Sequence, residues 1–227
     1  LLILITVLAC VASEYIYTTI TDQKITIYDL SAVVTGMILA LNLPCTFPYW
    51  KAALGGAFAI IIVKQLFGGL GQNFMNPALG ARCFLALSFA GNMTAFYPSD
   101  VKGVDAATSA TPLTALKNLG ESSSSLLDMF IGNHAGTIGE TSVIALLIGA
   151  LYLTVRKIID LRIPLTYIVV FGVCIMLFNK STDINFLAMQ LCGGGLIFGA
   201  FFMATDYATS PITKSGRYIF GICLGLF

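Results

Sequence analysis

The sequence has few charged residues, and this scarcity excludes most soluble folds. Only 10% of its 227 residues are Asp, Glu, Lys or Arg, whereas soluble domains usually have about 25%. So few charges cannot cover a surface that faces water. Helices satisfy their own backbone polar groups in lipid. With 57% apolar residues, the composition therefore predicts a single all-α polytopic membrane domain over residues 1–227.

Histidine and closely spaced cysteines are also scarce, which argues against a metal site carried by this chain alone. The single histidine, His134, lies among Gly, Asn and Ser, and we expect it at the surface. The six cysteines have no Cys-x-x-Cys spacing, and we interpret most of them as small buried hydrophobic residues. A cysteine that faces another subunit could still share a metal there. The formal net charge of +1 favours neither nucleic acid nor an acidic partner.

Eight apolar segments alternate with mostly short polar intervals. Several are shorter than the roughly 20 residues that a helix needs to cross a bilayer core, which favours truncated, tilted or broken helices. The first and last segments are each too short to span alone, so we expect both termini to be truncated helices. The predicted segments are 1–13, 25–43, 52–67, 80–97, 139–155, 163–179, 186–204 and 216–227.

The basic residues predict how the chain is oriented, because cytoplasmic loops carry an excess of Lys and Arg. If the long polar interval 98–138 is external, eight basic residues fall inside and four outside. The protein is then a multi-pass protein of the inner (cytoplasmic) membrane with 98–138 on its external side. The inner set is Lys24, Lys64, Arg82, Arg156, Lys157, Arg162, Lys214 and Arg217, and the outer set is Lys51, Lys102, Lys117 and Lys180.

Two stretches, 55–84 and 193–220, share an order of features that predicts an internal duplication. Each runs from a Gly-rich apolar segment through a polar break to an X-Pro pair, an arginine and an aromatic residue. Paired interruptions in two halves of a membrane chain indicate inverted repeats with broken or re-entrant helices. We predict a first repeat over about 1–97 and a second over about 139–227.

The first break, "FGGLGQNFMNPALG" (67–80), contains residues suited either to a ligand or to close packing. Its glycines allow a close backbone approach. Asn73 and Asn76 offer both hydrogen-bond donors and acceptors, and Pro77 suits the first position of a helix. Close helix packing around a re-entrant turn explains the same residues, so both interpretations stay open.

The second break, "MATDYATSPITKSGR" (203–217), contains an acid at the end of an apolar segment. Acids within or bordering a membrane segment are functional candidates. Asp206 and its neighbour Thr205 also suit the capping position of a helix. The residues themselves favour neither role over the other.

A hydroxyl-rich stretch between apolar segments, "VDAATSATPLTALKNLG" (104–120), resembles the flavinylation motif D-x-x-[S/T]-G-A-T. In that motif a flavin transferase joins FMN to the final threonine through a phosphoester. Asp105, Thr108, Ala110 and Thr111 match the motif, while Ser109 stands where the motif has glycine. No histidine lies nearby in sequence to activate a hydroxyl, so an acceptor modified by another enzyme suits Thr111 better than a nucleophile.

Three further stretches resemble the family of RnfD and NqrB, and together with the flavinylation motif they cover nearly the whole chain. They are residues 31–44, 68–82 and 203–217. The resemblance, closer to RnfD, implies an electron-transfer subunit of an ion-translocating ferredoxin:NAD oxidoreductase, which is not catalytic alone. It also implies a fold similar to urea channels.

The resemblance carries further expectations about cofactors, site residues and partners. It implies covalent FMN at Thr111 and a second, noncovalent flavin (riboflavin). Asn73, Asn76 and Arg82 are then possible flavin contacts, and Asp206 a possible residue of the path for Na⁺ or H⁺. The implied partners are the other Rnf subunits, including an external FMN-carrying subunit similar to RnfG, with a flavin transferase for maturation and the lipid bilayer.

Three alternatives remain at this point. The chain could be an NqrB-type subunit of a Na⁺-translocating NADH:quinone reductase. It could be a channel or transporter of urea-channel-like fold without a redox role, since such proteins also show repeats and broken helices. A purely structural subunit is the third. Only the flavinylation motif separates the redox interpretations from the other two.

Overall fold

All elements of regular secondary structure in the described residues are helices, which confirms the predicted fold class. The computed structural model describes residues 1–22, 26–96, 125–132, 134–179, 184–193 and 195–227. The chain divides into two compact units, Leu1–Phe96 and Tyr97–Phe227.

The described residues of the first unit form five α-helices. They are α1 (Leu2–Ile20), α2 (Ser31–Leu41), α3 (Tyr49–Phe58), α4 (Pro77–Ser88) and α5 (Ala90–Met93). A 3₁₀ turn, Ile27–Asp29, precedes α2. Helix α3 continues through a π-helical turn, Ala59–Lys64, and a 3₁₀ turn, Gln65–Phe67.

Helix α1 is longer than the pattern of apolar residues predicted. The apolar segment ends near residue 13, but the helix continues past Glu14 for a total of 19 residues and is long and apolar enough to cross a membrane. It continues because Glu14 is buried and paired within the unit. The hydroxyl of Thr18 also donates to the carbonyl oxygen of Glu14, at 2.9 Å. The prediction that this segment is too short to span is therefore wrong.

Small residues allow α2 and α3 to lie close to α1. A Cβ atom on Gly36 of α2 would stand 2.8 Å from the Cα of Val7, and one on Gly56 of α3 would stand 3.0 Å from the Sγ of Cys10. Cys10 is fully buried there. Glycine at both positions thus permits a contact that any side chain would push apart.

The prediction of buried cysteines holds for only two of the six. Cys10 and Cys192 are buried, but Cys45, Cys83 and Cys223 are exposed and Cys174 is intermediate. Apolar neighbours in sequence did not predict burial of the cysteines, because a membrane protein also has apolar side chains on surfaces that lipid or another subunit covers.

The second unit contains six described α-helices, all after residue 124. They are α6 (Leu126–Ile131), α7 (Val143–Val155), α8 (Arg162–Asn179), α9 (Ile184–Cys192), α10 (Leu196–Phe198) and α11 (Lys214–Leu226). Helix α10 continues into a π-helical turn, Gly199–Met203.

Helix α6 lies inside the interval 98–138, which the sequence predicted to be a loop. Ser125 and Asp128 form a capping box at its start, which satisfies backbone donors that would otherwise be unpaired. Gly132, with a φ of 107°, ends the helix in the left-handed region. This part of the predicted loop is therefore helical.

Helices α8 and α11 pack through glycines spaced four residues apart on α11. A Cβ atom on Gly221 would overlap the Oγ1 of Thr166, and one on Gly225 would stand 2.7 Å from the Cβ of Val170. Such Gly-x-x-x-Gly spacing brings helix backbones together in membranes, where small residues permit close van der Waals contact.

Long, short and bent helices occur together, as the segment lengths predicted. In the described part of the chain, Leu2–Ile20 and Tyr49–Phe67 are long and apolar enough to cross a membrane. The pair formed by α9 and Leu196–Met203 would be a third span, bent by 62°. The predicted segment 80–97 is also divided, because Phe89 leaves the helical conformation between α4 and α5.

The same order of local structures occurs in each unit. A π-helical turn is followed by a break, then by a helix whose first turn is capped by a polar side chain and which contains an arginine. Asn76 caps α4, which contains Arg82, and Thr213 caps α11, which contains Arg217. This order agrees with the predicted duplication, which itself stays a prediction.

Candidate functional site

The break between α3 and α4 is a loop in a backbone conformation that glycine adopts readily. Gly68, Gly69 and Gly71 have φ angles of 110°, 90° and 86°, in the region that other residues seldom occupy. A Cβ atom on Gly71 would meet nothing within 4 Å. Glycine is therefore needed at position 71 for the backbone conformation and not for space.

The asparagines of this loop stabilise the loop itself. Asn73 donates through Nδ2 to the carbonyl oxygen of Met75, at 2.9 Å. Asn76 accepts through Oδ1 from the backbone N–H groups of Ala78 and Leu79 at the start of α4. Both side chains are buried. Among the described residues, Oδ1 of Asn73 and Nδ2 of Asn76 have no hydrogen-bond partner. Asn73 therefore has an acceptor available for a ligand, and Asn76 has a donor.

Arg82, the third possible flavin contact, forms its hydrogen bond with a residue outside the glycine loop. Its Nη1 donates to Oδ1 of Asn42, 3.0 Å away, just after the end of α2. Arg82 thus ties α4 to α2, a structural role that the sequence did not predict.

Asp206 stabilises the turn that follows the π-helical turn of the second unit. Its Oδ1 accepts from the backbone N–H of Ala208 at 3.4 Å, and its Oδ2 accepts from the hydroxyl of Thr209 at 3.3 Å. The side chain is half-buried. No described helix begins at Asp206, so its role is to hold a turn and not to cap a helix, and its functional role stays a prediction.

Arg217 connects the second break to the turn between α7 and α8. Its Nη1 lies 2.5 Å from Oδ2 of Asp160, and its Nε donates to the carbonyl oxygen of Pro211. The backbone N–H of Arg162, and then Arg217, lower the pKa of Asp160 below its ordinary value. Both partners of the ion pair are about 30% exposed, so water screens it and it adds little stability. The pair borders an open cavity of ≈ 510 Å³ that Lys157 and Tyr207 also line.

A buried ion pair in the first unit is the polar site that the sequence interpretation missed. The Nζ of Lys64 lies 2.8 Å from Oε1 of Glu14, with the two side chains 2% and 0% exposed. The same Oε1 also accepts from Thr26 at 2.7 Å and from Gln65 at 2.9 Å. Oε2 of Glu14 is buried without a partner among the described residues. Charged residues inside membrane helices are functional candidates by default, and that signal was present in the sequence.

The position of Lys64 also corrects the count behind the predicted orientation. Lys64 is buried inside the first unit and Arg82 lies more than one turn inside α4, so neither counts as a loop charge. Removing them leaves six basic residues on the inner side against four on the outer side. The inner side still has more basic residues than the outer side, so the predicted orientation is unchanged, but the difference is smaller.

His134 is buried, so the prediction of a surface histidine is wrong. Its exposed fraction is 7%. Burial lowers the pKa of the imidazole, while a hydrogen bond to the backbone of Asp128 opposes the change. Gly132, just after α6, lies so close to Thr141 that a Cβ atom would stand 2.9 Å from the Thr141 carbonyl oxygen. A loop of small polar residues gave no sign of this packing.

The four residues that match the flavinylation motif, Asp105, Thr108, Ala110 and Thr111, lie outside the described residues. Within the described ranges, no group of three or more His, Cys, Asp or Glu side chains is placed to hold a metal ion.

Comparison with known proteins identifies relatives across the whole length of the chain. A model of the NQR2, RnfD, RnfE family matches residues 1–227. The D subunit of the Na⁺-translocating ferredoxin:NAD⁺ oxidoreductase complex of Acetobacterium woodii is 47% identical over 231 residues, which cover 99% of this chain and 70% of the relative. The D subunit of the proton-translocating ferredoxin:NAD⁺ oxidoreductase complex of Clostridium ljungdahlii is 40% identical over 96% of this chain and 70% of the relative.

A second group of relatives has a different name and a longer chain. The B subunit of the Na⁺-translocating NADH-quinone reductase of Stutzerimonas stutzeri is 36% identical over 216 residues, which cover 85% of this chain and 50% of the relative. The chain therefore spans about half the length of the B subunits that it matches.

Proposed function

The chain belongs to the NQR2, RnfD, RnfE family, and we propose that it is a D-type membrane subunit of an ion-translocating ferredoxin:NAD⁺ oxidoreductase. The supporting observation is the 47% identity across 99% of the chain to a D-type relative, against 36% across 85% to a B-type relative. Catalysis belongs to the assembled complex, in which this subunit relays electrons within the membrane.

The proposed cofactor is FMN attached through a phosphoester to Thr111. The motif residues Asp105, Thr108 and Ala110 support this assignment, and a flavin transferase would carry out the attachment. Because that enzyme supplies the activation, the absence of a nearby histidine in sequence is no obstacle. When bound, FMN supplies one-electron chemistry between this subunit and an external FMN-carrying subunit similar to RnfG. The covalent bond to Thr111 prevents FMN from dissociating at a site that is exposed to water.

A noncovalent flavin, riboflavin, is proposed at the glycine loop. The free Oδ1 of Asn73 and the free Nδ2 of Asn76 suit the donors and acceptors of an isoalloxazine edge, and Gly68 and Gly71 of the loop are exposed. Arg82, which is bound to Asn42, would act at most by holding α4 in place. These residues would bind and orient the ring, and their hydrogen bonds would tune its electronic properties.

Replacement of Thr111 tests the covalent assignment. We expect wild-type protein to fluoresce under ultraviolet light in a denaturing gel, and its Thr111 peptide to carry an FMN adduct by mass spectrometry. Thr111→Ala should abolish both signals, because the phosphoester oxygen is gone. Thr114→Ala, which removes a hydroxyl in the same stretch, is the matched control and should keep both. An adduct that persists in Thr111→Ala would refute the assignment.

Ion coupling through Asp206 is a separate proposal. It rests on the position of a half-buried acid beside the second break. Asp206→Asn keeps an oxygen that can accept from Ala208 and Thr209 but removes the charge. We expect less Na⁺ or H⁺ moved per electron transferred in membrane vesicles that contain the complex. An unchanged ratio would exclude Asp206 from the ion path.

Two alternatives have observations in their favour. The matches to B-type relatives favour an NADH:quinone reductase, in which purified complex would reduce quinone with NADH in place of exchanging electrons between ferredoxin and NAD⁺. Broken helices also suit a channel or transporter, in which case the isolated protein, without flavin, would conduct a solute across liposomes.

A further inference from the structure

We propose that the open cavity beside the turn between α7 and α8 binds the phosphate group of an acidic phospholipid, with Lys157 and Arg217 as its cationic contacts. Every residue that carries the proposal lies in the second unit and within the described ranges. A lipid site goes beyond the proposed function of the subunit and does not depend on electron transfer.

The cavity has the size of a small-molecule site. It is open to the surface, and its volume of ≈ 510 Å³ lies within the range of about 300–1,000 Å³ that is usual for ligand pockets. Its lining comes from two segments far apart in sequence, the end of α7 with the turn that follows, and the second break with α11. The polar side chains of the lining are Thr154, Lys157, Asp160, Tyr207 and Arg217.

Positive charge exceeds negative charge in and beside the cavity. Lys157 and Arg217 line it together with one acid, Asp160, and the Nη1 of Arg162 lies 3.5 Å from Oδ2 of that acid. Asp206, the acid of the second break, is bound within its own turn. The group at the cavity therefore has three basic side chains and one carboxylate, so two positive charges are not balanced within it.

Arg217 and Lys157 both have donors available for an anion. Nη1 of Arg217 donates to Asp160 at 2.5 Å, and its Nε donates to the carbonyl oxygen of Pro211 at 3.1 Å. Its Nη2 has no partner in the described part of the chain, and neither does the exposed ammonium group of Lys157. Because guanidinium and ammonium groups are the usual protein donors to phosphate oxygens, both can bind one phosphate group at this cavity.

The backbone at Lys157 adopts a conformation that lysine seldom has. Its φ angle is 56°, in the left-handed region, which costs free energy for residues that have a Cβ atom. The N–H of Lys157 donates to the carbonyl oxygen of Thr154, and the N–H of Ile158 donates to that of Leu153, both at 2.9 Å. This pattern is a Schellman motif, in which glycine usually occupies the position of Lys157. Strained residues cluster at ligand sites, and here the strained residue places a cation at the cavity.

The exposed side chains of the lining favour a lipid over a free phosphate ion. Ile158, Leu161 and Tyr207 are 41%, 37% and 74% exposed. The hydroxyl of Tyr207 donates to the carbonyl oxygen of Ile158, which ties the second break to the turn between α7 and α8. Tyrosine is enriched where membranes meet water, because its ring is apolar and its hydroxyl is polar. A free phosphate ion would leave this apolar surface uncovered, whereas the glycerol and acyl chains of a lipid would cover it.

The predicted orientation places the cavity where acidic lipids attract basic residues. The turn that contains Lys157 is predicted on the inner side, and the cytoplasmic leaflet has a negative surface potential. Basic pockets between membrane helices on that side bind the headgroups of acidic lipids. The basic residues that predict the orientation therefore also supply the charge of this site.

Photo-crosslinking locates the bound lipid. The full-length protein, purified from native membranes with the subunits bound to it, is placed in phosphatidylcholine vesicles that contain phosphatidylglycerol with a photoreactive acyl chain. We expect mass spectrometry to find the lipid on peptides that contain residues 154–162 or Tyr207, and unlabelled phosphatidylglycerol to compete with it. Photoreactive phosphatidylcholine should not label these peptides above background, because its choline cation would meet Lys157 and Arg217.

Lys157→Gly tests the cation without disturbing the turn. Glycine is the residue that the Schellman motif prefers, so we expect this variant to fold. Its affinity for phosphatidylglycerol should fall about fivefold, the usual contribution of one basic residue to the binding of acidic lipid. Lys157→Arg, which keeps the charge, should keep the affinity. The matched control is Arg156→Gln, which removes a positive charge from the exposed residue next to Lys157, outside the cavity lining, and should leave the affinity nearly unchanged.

Four results would overturn the proposal. Wild-type protein without label on residues 154–162 or Tyr207 would show that the cavity holds no lipid. Equal labelling by phosphatidylcholine would show that acyl chains bind there without selection for an acidic headgroup. Competition by inorganic phosphate as strong as that by phosphatidylglycerol would assign the cavity to a soluble phosphate. Equal affinities of Lys157→Gly and Arg156→Gln would show that the general surface charge, and not the cavity, attracts the lipid.

The lipid site and the proposed redox function fail or succeed separately. The cross-linking measures binding alone and requires neither a flavin nor electron transfer. A missing FMN adduct at Thr111 would therefore leave the lipid result intact, and a missing lipid would leave the adduct intact.

Discussion

Glu14 and Lys64 form an ion pair in a place where neither charge can be solvated. Their side chains are 0% and 2% exposed, and the removal of two charges from water costs several kcal/mol per ion. The 2.8 Å contact and the additional donors Gln65 and Thr26 offset that cost. The net contribution of such a pair to stability is small, but either charge alone would be strongly unfavourable.

This argument predicts strong coupling between the two residues. Lys64→Met should lower the free energy of unfolding by about 3–5 kcal/mol, the usual cost of leaving one buried charge unpaired. Glu14→Gln combined with Lys64→Met should recover much of that loss, because no charge remains. The measurement is a double-mutant cycle on the resistance of the purified complex to denaturation. Additive effects of the two substitutions would contradict the pair.

At the scale of the elements, the contact between α8 and α11 depends on glycines of α11, which have no side chain. The Cβ positions of Gly221 and Gly225 are already occupied by atoms of Thr166 and Val170. The clash at Gly225 involves Cβ of Val170 and the backbone of Tyr167, neither of which can rotate away. The two helices must therefore separate if either glycine gains a side chain.

Gly225→Ala should destabilise the second unit by about 1–3 kcal/mol, the usual cost of overpacking. Gly199→Ala in the same unit is the matched control, because a Cβ atom there would meet nothing within 4 Å. The thermal stability of the two variants in detergent gives the comparison. Equal stability of the two would show that α8 and α11 do not pack at Gly225.

At the scale of the whole molecule, orientation is set by charges at the ends of helices and not by the helices themselves. The turn between α7 and α8 contains Arg156 and Lys157, and Arg162 begins α8, so that three basic residues lie within seven positions. Cytoplasmic loops carry such excess positive charge. This turn is therefore predicted on the inner side and the interval 98–138 on the outer side.

Cysteine labelling tests this orientation. In a chain from which the exposed cysteines Cys45, Cys83 and Cys223 have been removed, Ser123→Cys should react with a membrane-impermeant maleimide in intact cells. Arg156→Cys should react only in inverted vesicles. The reverse pattern would place the proposed flavin-bearing interval on the inner side and would contradict the charge rule for this protein.

Features set by neighbours in sequence were predicted well. Gly68, Gly69, Gly71 and Pro77 predicted the break after α3, because glycine permits positive φ and proline suits a helix start. The four stretches that resemble RnfD and NqrB predicted the family. Helix α6, within a predicted loop, was missed although Ser125 and Asp128 gave a capping signal.

Features set by distant contacts were not predicted. The first apolar segment was predicted over 1–13, before Glu14, whereas Lys64, the partner that allows Glu14 to be buried in the helix, lies 50 positions later. His134 looked like a surface residue because its neighbours in sequence are small and polar, whereas in the fold its exposed fraction is 7%.

By itself the sequence determined that this chain is a helical membrane protein of the NQR2, RnfD, RnfE family, since composition and local motifs do not depend on which helices meet. Only the tertiary structure decided which polar residues are isolated from water. Burial is a property of packing, and a glutamate and a lysine 50 positions apart become a site only when α1 and the π-helical turn after α3 bring them to 2.8 Å.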